Sequence, residues 1–462
     1  MSVAVHQSPV TPASRRKRVL IVAYYFPPIG TSGTFRTLKF VKYLPQFGWD
    51  PIVLTVDARH EYIEPKNEAL LSQLPASVTV VRTYAWSLQK LLHRAQKTEN
   101  SANLTKDVIS NKKPSFSQKV RAFVRDIFHF PDGRSGWFPF ALVRGFIAVR
   151  KLNVDVIYTS APPYTGTLVG LGLKLLTGKP LISDFRDPWV GNTYRYQPDQ
   201  QQVTWQARWA KALEQKTFAH SARVINVSAD LTAKSQSVVP PESRSKFLTI
   251  HNGFDADDFT PLPPRVADGK FRIVYTGCFY EGSREPKNFL RALRLLADQS
   301  PLEFEKIEVW FVGDMVWAAA NAPWCNSLKL GEHIQFKPFL PHKENLKLLA
   351  ESDLLLMIGS VKPADTGSLP VKIFEYAATR RPMLALVHEG ESAKFVRGCG
   401  IGRLANPENP EEIATTLLEM YREIRAGTFP TEPNLEFLRQ YDRRELTRQL
   451  AELFTAVTPA PS

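Results

Sequence analysis

The sequence predicts an α/β protein made of two doubly wound domains in tandem, each a parallel sheet with helices on both faces. Three observations carry this. Short apolar runs alternate with helical periodicity from Arg18 onward, joined by turns containing Gly and Pro. The alternation stops at a Pro- and charge-rich segment, Pro261 to Lys270, and starts afresh at Phe271. The chain has 462 residues, enough for two or three domains with sizeable cores.

In the front half, Arg18-Val-Leu-Ile-Val-Ala-Tyr-Tyr25 reads as the first strand and runs into Phe26-Pro-Pro-Ile-Gly-Thr-Ser-Gly33. Thr34 to Leu44 then reads as a helix, with Leu38, Val41 and Leu44 along one side. Strands follow at Pro51 to Val56, Val78 to Thr83 and Val154 to Tyr158. Tyr164 to Leu176 is a helix and Pro180 to Asp184 a strand.

In the back half, Phe271-Arg-Ile-Val-Tyr-Thr-Gly277 and Glu308-Val-Trp-Phe-Val-Gly313 each read as strand then turn, with Asn288 to Asp298 a helix between them. Ile334 to Phe336, Leu354 to Met357 and Met383 to Leu386 supply further strands. Asn434 to Val457 reads as one amphipathic helix with Leu438, Leu446, Leu450 and Leu453 on its apolar side. In open sheets of this kind ligands bind off the carboxyl ends of the strands, so the cleft between two facing domains is the expected site.

Composition bounds the function. Hydrophobic residues at 44% and charged residues at 23% are ordinary for a globular chain and exclude a largely disordered one. Three scattered cysteines, Cys278, Cys325 and Cys399, make neither a disulfide scaffold nor a thiolate zinc site. No run of about 18 apolar residues suggests a spanning helix, and the polar start lacks a signal peptide's apolar segment. A cytoplasmic protein is expected.

The net charge of +14 is uneven: residues 1–235 carry +17 and residues 236–462 carry −3. A basic surface attracts nucleic acid or an anionic membrane. No helix-turn-helix, zinc-finger or RNP signature supports nucleic acid. The stretch 81–130 holds 10 basic and 3 acidic residues. Within it, Val120, Phe123, Val124, Ile127 and Phe128 share one helical face flanked by Lys119, Arg121 and Arg125, which fits an interfacial helix as well as a core-facing one. An anionic membrane surface, the inner face of the plasma membrane, is therefore an expected partner.

The chemistry lies in the turns after strands. Gly30-Thr-Ser-Gly33 opens a helix, where backbone amides and the helix dipole favour an anionic ligand; it is not GxGxxG. Asn252-Gly253 marks a turn at the domain junction. Gly367-Ser-Leu-Pro-Val-Lys-Ile-Phe-Glu-Tyr376 ends a loop and starts a helix, with Lys372 and Glu375 three apart on one face. They read either as a surface ion pair, or as an ammonium for a diphosphate beside a carboxylate for a ribose diol.

In this order the motifs resemble the family 4 glycosyltransferases of the GT-B fold, most closely bacterial members that build surface polysaccharides. The matching segments are Tyr24-Tyr-Phe-Pro-Pro-Ile-Gly30 with Gly33 and Arg36, Ser160-Ala-Pro-Pro163, Asp184-Phe-Arg-Asp-Pro-Trp189, Asn252-Gly-Phe-Asp255, Tyr275-Thr-Gly277, Val312-Gly-Asp314 and Lys372-Ile-Phe-Glu-Tyr376. The resemblance implies two facing Rossmann-like domains: an acceptor-side domain (1–250), a nucleotide-sugar domain (251–435), and a C-terminal helix and tail (436–462) crossing back to the first. It implies transfer of a sugar from a nucleotide-sugar donor to a lipid-linked or polysaccharide acceptor, with retention at the anomeric carbon.

By the same resemblance, Glu375 holds the donor ribose, and Lys372 and Lys287 bind its diphosphate. Gly30 to Gly33 flank the diphosphate and acceptor. Asp184, Arg186 and Asp187 stand near the reacting sugar, and the turn Lys337-Pro-Phe-Leu340, Phe339 included, cradles the base, partly through its backbone. Two departures mark a variant donor pocket. Gly367 stands where the family has the first Glu of its signature, with Asp365 nearby, and Cys278 replaces the usual Arg, with Arg284 as the substitute. Charge on the departing diphosphate would be met by Lys372, Lys287 or Arg284, helix N-termini and the glycine-loop amides, so no cofactor or metal is expected, Asp255-Ala-Asp257 included. Two alternatives stay open: an inactive GT-B paralogue serving as a scaffold, and a nucleotide-sugar epimerase.

Overall fold

The computed structural model describes residues 15–61, 65–86, 130–191, 205–259, 269–362, 367 and 369–459. Two parallel sheets organise it. The front sheet has seven strands in the order β3-β2-β1-β4-β5-β6-β7: β1 (Lys17–Val22), β2 (Trp49–Val56), β3 (Thr79–Thr83), β4 (Val156–Ala161), β5 (Leu181–Phe185), β6 (Arg223–Asn226) and β7 (Phe247–Thr249). The back sheet has six in the order β10-β9-β8-β11-β12-β13: β8 (Phe271–Thr276), β9 (Ile307–Val312), β10 (Ile334–Lys337), β11 (Leu354–Ile358), β12 (Met383–Leu386) and β13 (Gly402–Ala405). In each sheet the chain winds outward from a central strand, returns, and winds the other way. The strand order therefore reverses beside β1 and beside β8, as in doubly wound folds.

Among the described residues, the α-helices of five or more residues are α1 (Ser32–Tyr43), α2 (Phe138–Lys151), α3 (Tyr164–Thr177), α4 (Trp205–His220) and α5 (Ala229–Ser237) among the front strands. Among and after the back strands come α6 (Lys287–Gln299), α7 (Met315–Ser327), α8 (His342–Ala350), α9 (Val371–Ala378), α10 (Glu391–Cys399), α11 (Pro410–Ala426), α12 (Leu435–Arg439) and α13 (Arg443–Val457). Burial on both faces explains the near-continuous apolar strands. In β8 and β11, Phe271, Ile273, Tyr275, Leu354, Leu356 and Ile358 enter one core. Their neighbours Val274, Leu355 and Met357 enter the other, with Ile373, Phe374 and Tyr376 of α9.

The chain forms two compact units, both discontinuous: Met1–Ser183 with Thr217–Ala222 and Ala451–Ser462, and Asp184–Lys216 with Arg223–Leu450. The last helix thus begins in the second unit and ends in the first. There Phe454 meets Trp49 edge-on at 5.3 Å and Tyr158 at 5.8 Å, and Trp49 Nε1 donates to Thr455 Oγ1 at 3.4 Å.

Two expectations need correction. The first strand stops at Val22, because Tyr24 turns out of the sheet period: its ring packs edge-on against Tyr25 and Trp137, and its hydroxyl donates to the buried Glu61 at 2.9 Å. The C-terminal segment is two helices, because the backbone of 441–443 pairs with Phe254 instead of continuing the helical ladder. Phe254 N–H donates to Tyr441 O (3.2 Å) and Arg443 N–H to Phe254 O (2.9 Å). Asp442 Oδ1 then accepts the amide of Arg444 at 2.7 Å. The new phase buries Phe454 fully and leaves Leu453 half-buried. The basic helix expected at Lys119 to Phe128 and the substitute Asp365 lie outside the described residues.

Candidate functional site

The back sheet builds a cationic turn where its strand order reverses. β8 ends at Thr276, and Gly277 follows with φ +124°, a conformation that favours glycine. Gly277 N–H donates to Val312 O (2.8 Å) and Gly313 N–H to Lys337 O (2.9 Å), which aligns the ends of β8, β9 and β10. Tyr275 hydroxyl donates to Cys278 O at 3.0 Å and closes the turn. Asp314 caps α7 by accepting Trp317 N–H (2.9 Å) through Oδ1, and ties the turn down by accepting Phe279 N–H (2.8 Å) through Oδ2.

Helix α9 docks on this turn through two residues four apart. Tyr376 hydroxyl accepts Thr276 N–H at 3.0 Å, and Lys372 Nζ donates to Thr276 O at 3.0 Å. The ammonium lies 3.7 Å from the Tyr275 ring centroid, a cation–π position. A Cβ on residue 277 would stand 3.2 Å from Nζ, so the glycine admits the lysine. Among the described residues no carboxylate pairs with Lys372. Burial, and then the charge of Arg284, hold its pKa well below the usual lysine range, with only Cys278 opposing. Burial pushes Cys278 up, helped by Asp314 and opposed by Lys372, and pushes Tyr376 up to about 12.

The expected sites separate as follows. Lys372 and Arg284 come together at the Gly277 turn; the Arg284 guanidinium lies 5.4 Å from the Tyr280 ring centroid. Lys287, at the start of α6, is bound to Glu285 at 2.6 Å. Ser283 Oγ meets Ser360 Oγ at 2.9 Å and Val361 N–H donates to Ser283 O, so the loops after β8 and β11 are stitched together. Glu375 does not pair with Lys372; its Oε1 is 3.1 Å from Nε2 of His342, the first residue of α8. Phe339, in the turn before α8, is 74% exposed. At Gly367 a Cβ would lie 2.0 Å from Oδ2 of Asp230, so a carboxylate from α5 occupies the space of the missing side chain.

In the front half, the N–H of Gly30 is committed to Pro65 O at 2.8 Å and so is not among the amides open to a ligand, contrary to expectation. Gly33 lies in the first turn of α1, whose N-cap Thr31 makes no side-chain cap. Asp184 ends buried in β5, and Arg186 and Asp187 follow it half-buried. Glu214 of α4 accepts Val190 N–H at 3.2 Å, and burial raises its pKa to about 7 against the Val190 and Trp189 amides and the charge of Lys211.

Sequence reasoning missed His342 and Glu214. A histidine directly after Pro341, at the start of a helix following the Lys337-Pro-Phe-Leu340 turn, is a signal for the first. Glu214 had none, because its partner is a backbone amide. Among the described residues no group of three or more His, Cys, Asp or Glu is placed to hold a metal ion.

Two doubly wound parallel sheets, the second with a cationic turn at its point of reversal, are the architecture of the GT-B fold. Comparison with known proteins agrees. A family model described as Glycosyltransferase Family 4 matches residues 35–258, and one described as Glycosyl transferases group 1 matches residues 270–423. Together they span well over half of the chain, which belongs to the family 4, group 1 glycosyltransferases.

No curated protein matches it in sequence. Among solved structures, Alr3699/HepE of Anabaena in complex with UDP-glucose is similar at TM-score 0.61 and 14% identity, covering 95% of this chain and 99% of that one. Sucrose-phosphate synthase from Thermosynechococcus elongatus gives 0.63 and 13%, covering 96% and 99%. WaaG, a glycosyltransferase involved in lipopolysaccharide biosynthesis, gives 0.57 and 13%, covering 95% and 99%. At such identities the likeness establishes the fold.

Proposed function

We propose that this glycosyltransferase moves a sugar from a nucleotide-sugar donor to a lipid-linked or polysaccharide acceptor, with retention and without a metal. The observation that carries the reading is Lys372: a half-buried ammonium on a glycine turn, bonded to a backbone carbonyl, with no carboxylate partner among the described residues and the charge of Arg284 near it. Such a group is stabilised by an incoming dianion. Lys372 and Arg284 neutralise the departing diphosphate, with Lys287 joining them once it leaves Glu285. Glu375 accepts the ribose hydroxyls, and Phe339 packs on the base. Asp184, Arg186 and Asp187 border the reacting sugar. Bond cleavage leaves negative charge on the diphosphate, which takes the proton of the acceptor hydroxyl as that oxygen attacks from the same face. HepE, a neighbour in fold, binds UDP-glucose, which supports a nucleotide-sugar donor here.

For the acceptor, an anionic membrane surface is the proposed meeting place, on the cytoplasmic side. Most of the stretch 81–130 lies outside the described residues, so the support comes from α2. Its outer face presents Phe140, Val143 and Ile147 exposed, interleaved with exposed Arg144, Arg150 and Lys151, and the helix has no acidic residue. Among the described residues no helix is long and apolar enough to cross a membrane.

The test is calorimetric titration with a panel of nucleotide sugars, followed by turnover with the one that binds. Lys372→Ala should weaken donor binding about a hundredfold or more. Because burial holds the free lysine below its usual pKa and a diphosphate raises it, wild-type binding should take up more protons as the pH is raised towards the lysine range, and the variant should not. Titration in buffers of different ionisation heat reads this out. Turnover should survive EDTA, and the product anomer by NMR should match the donor. A folded protein that binds no nucleotide sugar would point to the scaffold reading.

A further inference from the structure

We propose that His342 is a positioning residue that makes the donor pocket select ribose over 2′-deoxyribose; this rests on the donor reading of Glu375. The Glu375 side chain is about one-fifth exposed, and so is that of His342. Among the described residues, His342 is the one hydrogen-bond partner of the Glu375 carboxylate, at 3.1 Å. An ionised carboxylate only accepts, so Nε2 of His342 carries a hydrogen and donates it to Oε1.

That bond fixes the carboxylate plane. A free glutamate rotates about its terminal bond and meets a diol at an entropic cost; a glutamate held at one oxygen presents the other in a set direction. The holder is itself rigid. His342 begins α8 directly after Pro341, and Leu346 and Leu349 of that helix are buried in the same core as Ile373, Phe374 and Ala377 of α9. The distance between imidazole and carboxylate is therefore set by packing of two helices, not by a loop.

The consequence is specificity. A site built to hydrogen-bond a hydroxyl rejects the analogue that lacks it, because a buried acceptor is left unmatched, and the rejection is sharp only if the acceptor cannot turn elsewhere. A carboxylate released from His342 turns to water and tolerates the loss. The placement of His342 also joins two parts of the pocket, since the turn carrying Phe339 leads straight into it.

The experiment uses the full chain and measures binding of the four common ribonucleoside diphosphates and their 2′-deoxy counterparts to wild type, His342→Ala, His342→Gln and Glu375→Ala, with thermal melts to check folding. In wild type the best ribonucleotide should bind at least tenfold tighter than its deoxy form. His342→Ala should weaken the ribonucleotide about tenfold and leave the deoxy form nearly unchanged, collapsing the preference. His342→Gln, which keeps a donor, should restore most of it. A purely structural role would weaken both ligands equally and gain nothing from glutamine. Wild-type affinity and preference in His342→Ala, with both lost in Glu375→Ala, would overturn the proposal and leave the donor reading standing. A folded wild type that binds none of the diphosphates would remove both.

Discussion

Glu214 shows how a residue can matter through a single proton. Its carboxyl is buried on α4 and accepts the amide of Val190, at the end of the segment that carries Asp184, Arg186 and Asp187. Burial raises its pKa to about 7, above an unfolded value near 4.5. The folded state therefore binds more protons between those two pH values, so stability falls as pH rises through the window and levels off above about 7. Glu214→Gln keeps an oxygen for the amide and removes the charge. It should flatten the decline, worth roughly 1–3 kcal/mol, in melts compared between pH 5 and pH 7.5. An unchanged slope would mean that the carboxyl is not the group responsible. Lys372 is the opposite case, a cation whose charge is disfavoured until an anion arrives.

Elements position these residues by simple means. Gly277 joins β8 to the following loop at φ +124°, and its missing side chain is the space that Lys372 enters. Gly277→Ala should cost about 1–2 kcal/mol from backbone strain, seen as a lower Tm. Because the new methyl would crowd Nζ, donor affinity should fall together with stability. A variant that loses stability but binds normally would separate the turn from the site. Helix α9 contributes through periodicity: Lys372 and Tyr376 are one turn apart and hold the two backbone groups of Thr276, while Glu375, on a different azimuth, reaches α8.

At the scale of the molecule, charge is the organising property, with the excess of +17 confined to the first 235 residues. The outer face of α2 gives that excess an apolar partner in Phe140, Val143 and Ile147. Sedimentation with vesicles should show binding that rises with anionic lipid and falls with salt, at about 1 kcal/mol per basic side chain near the surface. Val143→Glu with Arg144→Glu should weaken it about tenfold or more without altering donor binding. Indifference to anionic lipid at low salt would remove the membrane from the account.

Much of this was legible in the chain. The alternation of Phe271, Ile273 and Tyr275 with Val274 follows from a strand's period of two, and burial on both faces forced apolar residues at every position. Gly277 and the Lys372–Glu375 spacing were equally visible, because turns and helical faces are local properties. The break at 440–442 was not, because it depends on pairing with Phe254, far away in sequence. Nor were the true partners of the central pair: Lys372 bonds a carbonyl 96 residues away, and Glu375 a histidine 33 away. Local periodicity determined which side chains share a face, and so the class of fold. Only packing in three dimensions decided what each side chain meets, since the nearest polar group to a buried charge is set by which elements lie against it and not by its neighbours along the chain.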